Sequence, residues 1–290
     1  MHLRRQLSVF LLIVAAWTLP AMAQDDGDPV DDWGNRTWTI GENVQVGIAR
    51  FEALYTEVLV IFRDWQLAAS VDGYRFEIDS EWGPGIPPGS DVTGDGEPDL
   101  VAMEYSGGAH CCHTYYIFSL APEVTLLGVL ETWDAGARFI DLDGDGALEV
   151  ESADLAFAYW NASFADSPAP RVVWRWDGAA YVAAPDLMAA PAPADAELAD
   201  EAAAIAASDR WGTDYWDSDV WRVMLDLIYA GHMETAWSFM AAAWQPGRND
   251  MEAFRRDFSC NLQASVWWPA VAQVNGLPQG PLVTDCPVEG

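Results

Sequence analysis

The sequence predicts an α+β multidomain chain, with an N-terminal all-β domain followed by a small α-helical domain. Three observations predict it. From Arg36 to about Pro185, apolar residues come in short runs of strand length, rich in β-branched and aromatic side chains. Beyond about residue 208 the apolar period becomes that of an amphipathic helix. Between them, Ala189 to Ala199 is dominated by Ala, Pro and Asp, the composition of a linker. The expected boundaries are 1–23 for a signal peptide, 24–35 for a flexible acidic arm, 36–186 for the β domain, 187–207 for the linker and 208–290 for the helical domain.

The first 23 residues are read as a targeting segment. Arg4 and Arg5 form a basic start, Leu7 to Trp17 is an apolar run, and Pro20-Ala21-Met22-Ala23 supplies a small-x-small site before Gln24. The run is short for a membrane span, which needs about 20 residues, and no second segment is long and apolar enough. The expectation is cleavage after Ala23, export to the periplasm or beyond the cell, and no membrane span afterwards. Gln24 to Trp33, rich in Asp, is read as the arm.

The strands are read from Val58-Leu-Val-Ile-Phe62, Tyr74 to Ile78, Leu100 to Glu104, Thr114 to Phe118 and Val124 to Val129. Val172 to Trp176, the Asp177-Gly178 pair and Tyr181-Val-Ala then form a hairpin. In the helical part, Asp217-Ser218 caps a helix with Val220, Met224, Leu227 and Ile228 on one face, ended by Gly231. A second helix carries Ala236, Trp237, Met240 and Trp244 and stops at Pro246-Gly247. Asn249 with Glu252 reads as a capping box for a third, striped by Met251, Phe254, Phe258 and Leu262. These Trp and Met stripes read as core. Three or four helices are expected.

The formal net charge is −31, and all fourteen basic residues are Arg. Removing Arg4 and Arg5 with the signal takes −31 to −33. The absence of Lys excludes Schiff-base and phosphate-loop lysine chemistry. A strongly negative surface also disfavours nucleic acid and acidic membranes. It suits solubility and cation binding.

Two segments repeat one pattern at a separation of 50 residues: Asp91-Val-Thr-Gly-Asp-Gly-Glu-Pro-Asp99 and Asp141-Leu-Asp-Gly-Asp-Gly-Ala-Leu-Glu149. Both place acids at positions 1, 5 and 9, an oxygen-bearing side chain at 3 and Gly at 4 and 6. Calcium takes six to eight hard oxygen ligands at about 2.3–2.6 Å. A tight glycine loop can turn positions 1, 3 and 5 inward, add the carbonyl of 7 and close the shell with 9. The candidate ligands are Asp91, Thr93, Asp95, Glu97 and Asp99 in loop one. In loop two they are Asp141, Asp143, Asp145, Ala147 and Glu149. An EF-hand would need Glu at position 12, where the chain has Ala102 and Ser152. With four carboxylates against three, and Thr93 in place of an acid, loop two is expected to bind calcium more tightly.

These loops resemble the calcium loops of the FG-GAP and VCBS repeat families, found in integrin α-chain propellers and in exported bacterial proteins. The resemblance implies two Ca2+ sites and calcium-stabilised sheets arranged as propeller blades. With two loops and about 150 β residues, the expected form is a partial or small propeller-like assembly.

Between the loops lies Ser106-Gly-Gly-Ala-His110-Cys111-Cys112-His113. A structural turn with disulfides, a copper or zinc site, and thiol redox chemistry remain open readings. Similar Gly-Gly-x-x-Cys-Cys segments occur in uncharacterised exported bacterial proteins, a resemblance that implies no activity. The four cysteines, Cys111, Cys112, Cys260 and Cys286, allow three connectivities. Cys260–Cys286 is preferred, because it ties the tail to a helix.

The functional expectation is an exported calcium-binding protein, a non-catalytic binding or scaffold module for a protein or glycan ligand. A carbohydrate-active hydrolase is the alternative, and a thiol-redox or soft-metal protein the second.

Overall fold

A computed structural model describes residues 35–51, 56–80, 82–108, 112–212, 215–278 and 280–286. The expected signal peptide and nearly all of the acidic arm fall outside them, as do His110 and Cys111.

Twelve described strands form three four-stranded antiparallel sheets in chain order. The first sheet holds β1 (Arg36–Ile40), β2 (Val44–Phe51), β3 (Thr56–Arg63) and β4 (Gln66–Gly73). The second holds β5 (Arg75–Glu77), β6 (Asp99–Tyr105), β7 (His113–Ser119) and β8 (Thr125–Trp133). The third holds β9 (Arg138–Ile140), β10 (Glu149–Ala153), β11 (Arg171–Trp176) and β12 (Tyr181–Ala183). In every sheet each strand pairs with the next in sequence.

The sheets are packed in sequence, and side-chain alternation along β6 and β7 shows why. Leu100, Ala102 and Phe118 face the first sheet, against Val46, Ile48, Leu59 and Ile61. Val101, Met103, Tyr115 and Ile117 face the third, against Val150 and Tyr181. A sheet covered on both faces needs apolar residues at successive positions, which explains the continuous run Leu100-Val-Ala-Met103. Each fully buried Val, Leu or Ile contributes roughly 1.5–3 kcal/mol. Arg36 of β1 also donates to Glu77 of β5 at 2.9 Å and pairs with Glu57 of β3 at 3.5 Å, so ionic contacts join the first two sheets.

The helical part follows as α1 (Pro185–Met188), α2 (Asp195–Ala206), α3 (Ser218–Tyr229), α4 (Met233–Ala243), α5 (Met251–Ala264) and α6 (Trp268–Val274). It packs on the third sheet: Val172 and Val173 of β11 and Phe157 share one core with Trp221, Phe254 and Phe258. Trp174 meets Trp267 edge to face at 4.6 Å between ring centres. The sheets therefore form a stack closed on one side by helices, and they do not close into a propeller.

Two expectations need correction. The segment 187–207 is not a bare linker: α2 lies in it and buries Leu198, Ala202 and Ile205, spaced four and three residues apart, while α1 begins just before it. Within 208–290 itself the described helices are α3 to α6, four in number, as expected. The α5 N-cap is Asp250, with no side-chain cap bond, in place of the Asn249–Glu252 capping box. At α3, by contrast, the Asp217 carboxylate accepts from Asp219 N–H as an N-cap should.

Candidate metal centre

The two acidic loops occupy equivalent places. Loop one connects β5 to β6 and loop two connects β9 to β10, each joining the first strand of its sheet to the second. In the first sheet that connection is only Gly41 to Asn43, too short for such a ligand set. The acid at position 9 is the opening residue of the second strand in both cases, and Asp99 and Glu149 are each only 1% exposed.

In loop two, carboxylate oxygens of Asp141, Asp143 and Glu149 all lie within 4.8 Å of one another. Local bonds shape the loop around them. Asp141 Oδ1 accepts from Gly144 N–H at 2.7 Å, and Glu149 Oε2 accepts from Leu142 N–H at 2.8 Å. Asp145 stands outside this trio, its Oδ1 accepting from Ala147 N–H at 2.8 Å. Burial pushes the Glu149 carboxyl above the ordinary glutamate value against the Leu142 bond, and Asp143 and Asp145 add to the rise.

Loop one is built the same way. Asp91 accepts from Gly94 N–H at 2.7 Å and from Gly96 N–H at 2.8 Å, and Asp95 accepts from Glu97 N–H at 2.8 Å. Asp99 Oδ2 accepts from Val92 N–H at 2.9 Å and from both the N–H and hydroxyl of Thr93 at 3.1 Å. Its other oxygen, Oδ1, is buried with no hydrogen-bond partner. Four buried side-chain polar atoms lack a partner among the described residues, and this is the only one on a carboxylate. Burial raises the Asp99 carboxyl despite the bonds from Val92 and Thr93, and the charge of Asp95 raises it further. A buried carboxylate oxygen without a donor fits a cation ligand, because a cation supplies the missing partner. The trio spacing seen in loop two is not reached by the acids of loop one among the described residues.

The loops also touch each other. Leu148 N–H donates to Val92 O at 2.8 Å. Gly94, at φ +74°, lies so close to loop two that a Cβ there would sit 2.9 Å from Ala147 N. The Tyr181 hydroxyl lies between Val92 O, at 3.5 Å, and Leu148 O, at 3.4 Å. Burial raises the Tyr181 pKa, and the charges of Asp99 and Glu149 raise it further.

Charge counting alone misses Arg175. Its guanidinium sits 3.3 Å from Asp143 Oδ2 and 2.9 Å from Asp186 Oδ2. It offsets part of the extra negative charge that ranks loop two first. Tyr181 and Arg175 lie more than 25 residues beyond loop two, so no local spacing marked them.

In the segment between the loops, Ser106 N–H donates to Cys112 O at 3.1 Å and Cys112 N–H to Ser106 Oγ at 3.2 Å, closing the turn before β7. Cys112 is disulfide-bonded, and Cys260 of α5 is bonded to Cys286 with their Cα atoms 5.5 Å apart. His113 Nδ1 lies 3.1 Å from the Trp133 carbonyl. His232 precedes α4, with Nε2 2.6 Å from Ala190 O.

No family model matches the chain, and no solved structure matches it. Over 83 residues, 28% of this chain, it is 35% identical to the uncharacterized protein y4bJ of Sinorhizobium fredii (strain NBRC 101917 / NGR234). That match spans 13% of the relative's length. No described helix is long and apolar enough to cross a membrane.

Proposed function

We propose that this chain is an exported calcium-binding protein whose sheets serve as a non-catalytic binding or scaffold module. One observation carries the reading: a buried acid recurs at the same place in two successive sheets, closing two loops of one ligand pattern. Asp91, Thr93, Asp95, the Glu97 carbonyl and Asp99 would hold one ion. Asp141, Asp143, Asp145, the Ala147 carbonyl and Glu149 would hold the other. Bound calcium would neutralise clustered carboxylates and lock each loop to the strand it opens. The three sheets then read as successive blades of an open propeller-like stack.

Isothermal titration of calcium into chelator-treated protein tests this directly. Two equivalents are expected, with affinities on the order of micromolar to millimolar. Absence of binding heat at millimolar calcium would count against the proposal.

A further inference from the structure

We propose that the groove between the second and third sheets binds a neutral oligosaccharide. The groove has a volume of about 630 Å3, within the range of small-molecule sites. Its lining includes Trp82, His113, Tyr115, Arg138, Glu151 and Arg171 and none of the loop acids. The inference therefore stands apart from the calcium reading.

The polar groups in the groove are joined by ion pairs and hydrogen bonds. Arg138 and Glu151 are direct cross-strand partners on β9 and β10, and Arg138 Nη2 donates to Glu151 Oε1 at 2.6 Å. From the other side, Arg171 Nε on β11 donates to Glu151 Oε2 at 2.5 Å, and its Nη1 donates to Leu187 O at 2.8 Å. Burial works to raise the Glu151 carboxyl, yet the bonds from Arg171 and Arg138 hold it below the ordinary glutamate value. Glu151 is thus a carboxylate at neutral pH, held by one hydrogen bond from each of two guanidiniums. Each guanidinium has five N–H donors. The bonds found among the described residues engage one on Arg138 and two on Arg171. The Trp133 carbonyl can only accept, so the His113 Nδ1 facing it donates, which holds the imidazole at the edge of the groove.

Trp82 completes the groove and is 73% exposed. A flat indole beside planar guanidinium donors and the Glu151 carboxylate acceptor matches a pyranose. The C–H face of the ring stacks on the indole. Neighbouring hydroxyls accept from Arg and donate to Glu. An anionic ligand fits less well, because Glu151 already occupies the space between the two guanidiniums. A peptide fits less well because the remaining lining is largely Ala and Gly, which offer little apolar surface to grip a side chain.

The test uses the full chain in calcium buffer, with cello-, xylo-, manno- and malto-hexasaccharides as neutral probes and a galacturonic acid hexasaccharide as the acidic one. Binding is read by calorimetry and tryptophan fluorescence. At least one neutral probe should bind with one-to-one stoichiometry. Trp82→Ala, at an exposed position that leaves the melting temperature unchanged, should weaken it roughly tenfold or more. Arg138→Met should weaken it as well. The inference is overturned if no neutral probe binds at about 10 mM, if Trp82→Ala binds as the parent does, or if only the acidic probe binds. Sugar binding by a protein with no calcium response would sink the calcium reading and leave this one standing.

Discussion

The N–H of Leu148 donates to the carbonyl of Val92 at 2.8 Å, joining two acidic loops 50 residues apart in sequence into one surface. Gly94 packs beside that junction, against the backbone of Gly146 and Ala147. Gly94→Ala would force an L-residue into φ +74° and press its Cβ to 2.9 Å from Ala147 N, a backbone atom that cannot swing away. Gly96, at φ +87° with nothing within 4 Å of a Cβ, isolates the backbone contribution, about 1–2 kcal/mol. Urea denaturation should show Gly94→Ala losing more stability than Gly96→Ala. Calcium titration should show Gly94→Ala weakening both sites, whereas Gly96→Ala weakens chiefly the first.

Arg175 lies against loop two and opposes a cation there. Arg175→Gln should raise the affinity of the second site by about threefold to tenfold, the effect of removing one nearby positive charge in a solvated setting. The first site should be unchanged. Arg222→Gln on α3, whose guanidinium pairs with Glu201 and Asp219, is the control and should leave both affinities alone. Calorimetry on the three proteins checks this.

The third sheet and the helices should unfold together. Tyr229 of α3 and Ser265 after α5 both donate to Asp154 Oδ2, just beyond β10, inside the shared core. Tyr229→Phe removes one donor and should cost about 1–3 kcal/mol. Asp154→Ala strands both hydroxyls and should cost more. Because Val173 and Phe157 pack with Phe258, tryptophan fluorescence and far-ultraviolet circular dichroism should report coincident urea transitions in the parent protein.

Glu77 links acid stability to the first two sheets. Burial works to raise its pKa, but bonds from Arg75 and Ser80 and the charge of Arg36 outweigh burial and hold it below the ordinary 4.5. Between that lowered value and 4.5 the unfolded chain binds the proton and the folded chain does not. The stabilisation from Glu77 is therefore complete above 4.5 and is lost as pH falls through the folded value. Glu77→Gln should flatten the decline of urea midpoint between about pH 6 and about pH 3. It should also lower the midpoint near neutrality, since it leaves Arg36 short of a charged partner.

The features legible in the sequence are those set by near neighbours. The loop pattern falls within nine residues, so its ligand types and glycines stand out without any tertiary information. The central strands were readable because a doubly covered sheet demands consecutive apolar residues. The Asp177-Gly178 hairpin was readable from its turn: Asp177 Oδ1 accepts from Ala179 and Ala180 N–H. The α2 helix was masked by composition, since an Ala-rich stretch among Pro and Asp resembles a linker until Leu198, Ala202 and Ile205 are lined up. The β1–β2 hairpin carries a signal in the alternation of Val44, Val46 and Ile48, short and flanked by charged residues. The contact between the loops, the place of Arg175 and the Asp154–Tyr229 node depend on residues brought together from far along the chain, which no local spacing encodes.

The most direct test is a thermal melt of the parent protein and of Asp141→Ala, each in excess chelator and in calcium at about a hundred times its dissociation constant. Saturation of that order adds about 2.7 kcal/mol per site. The expected result is a rise of roughly 5–10 °C or more in the parent, with Asp141→Ala losing the part owed to loop two. Superimposable melts of the parent with and without calcium would contradict the account.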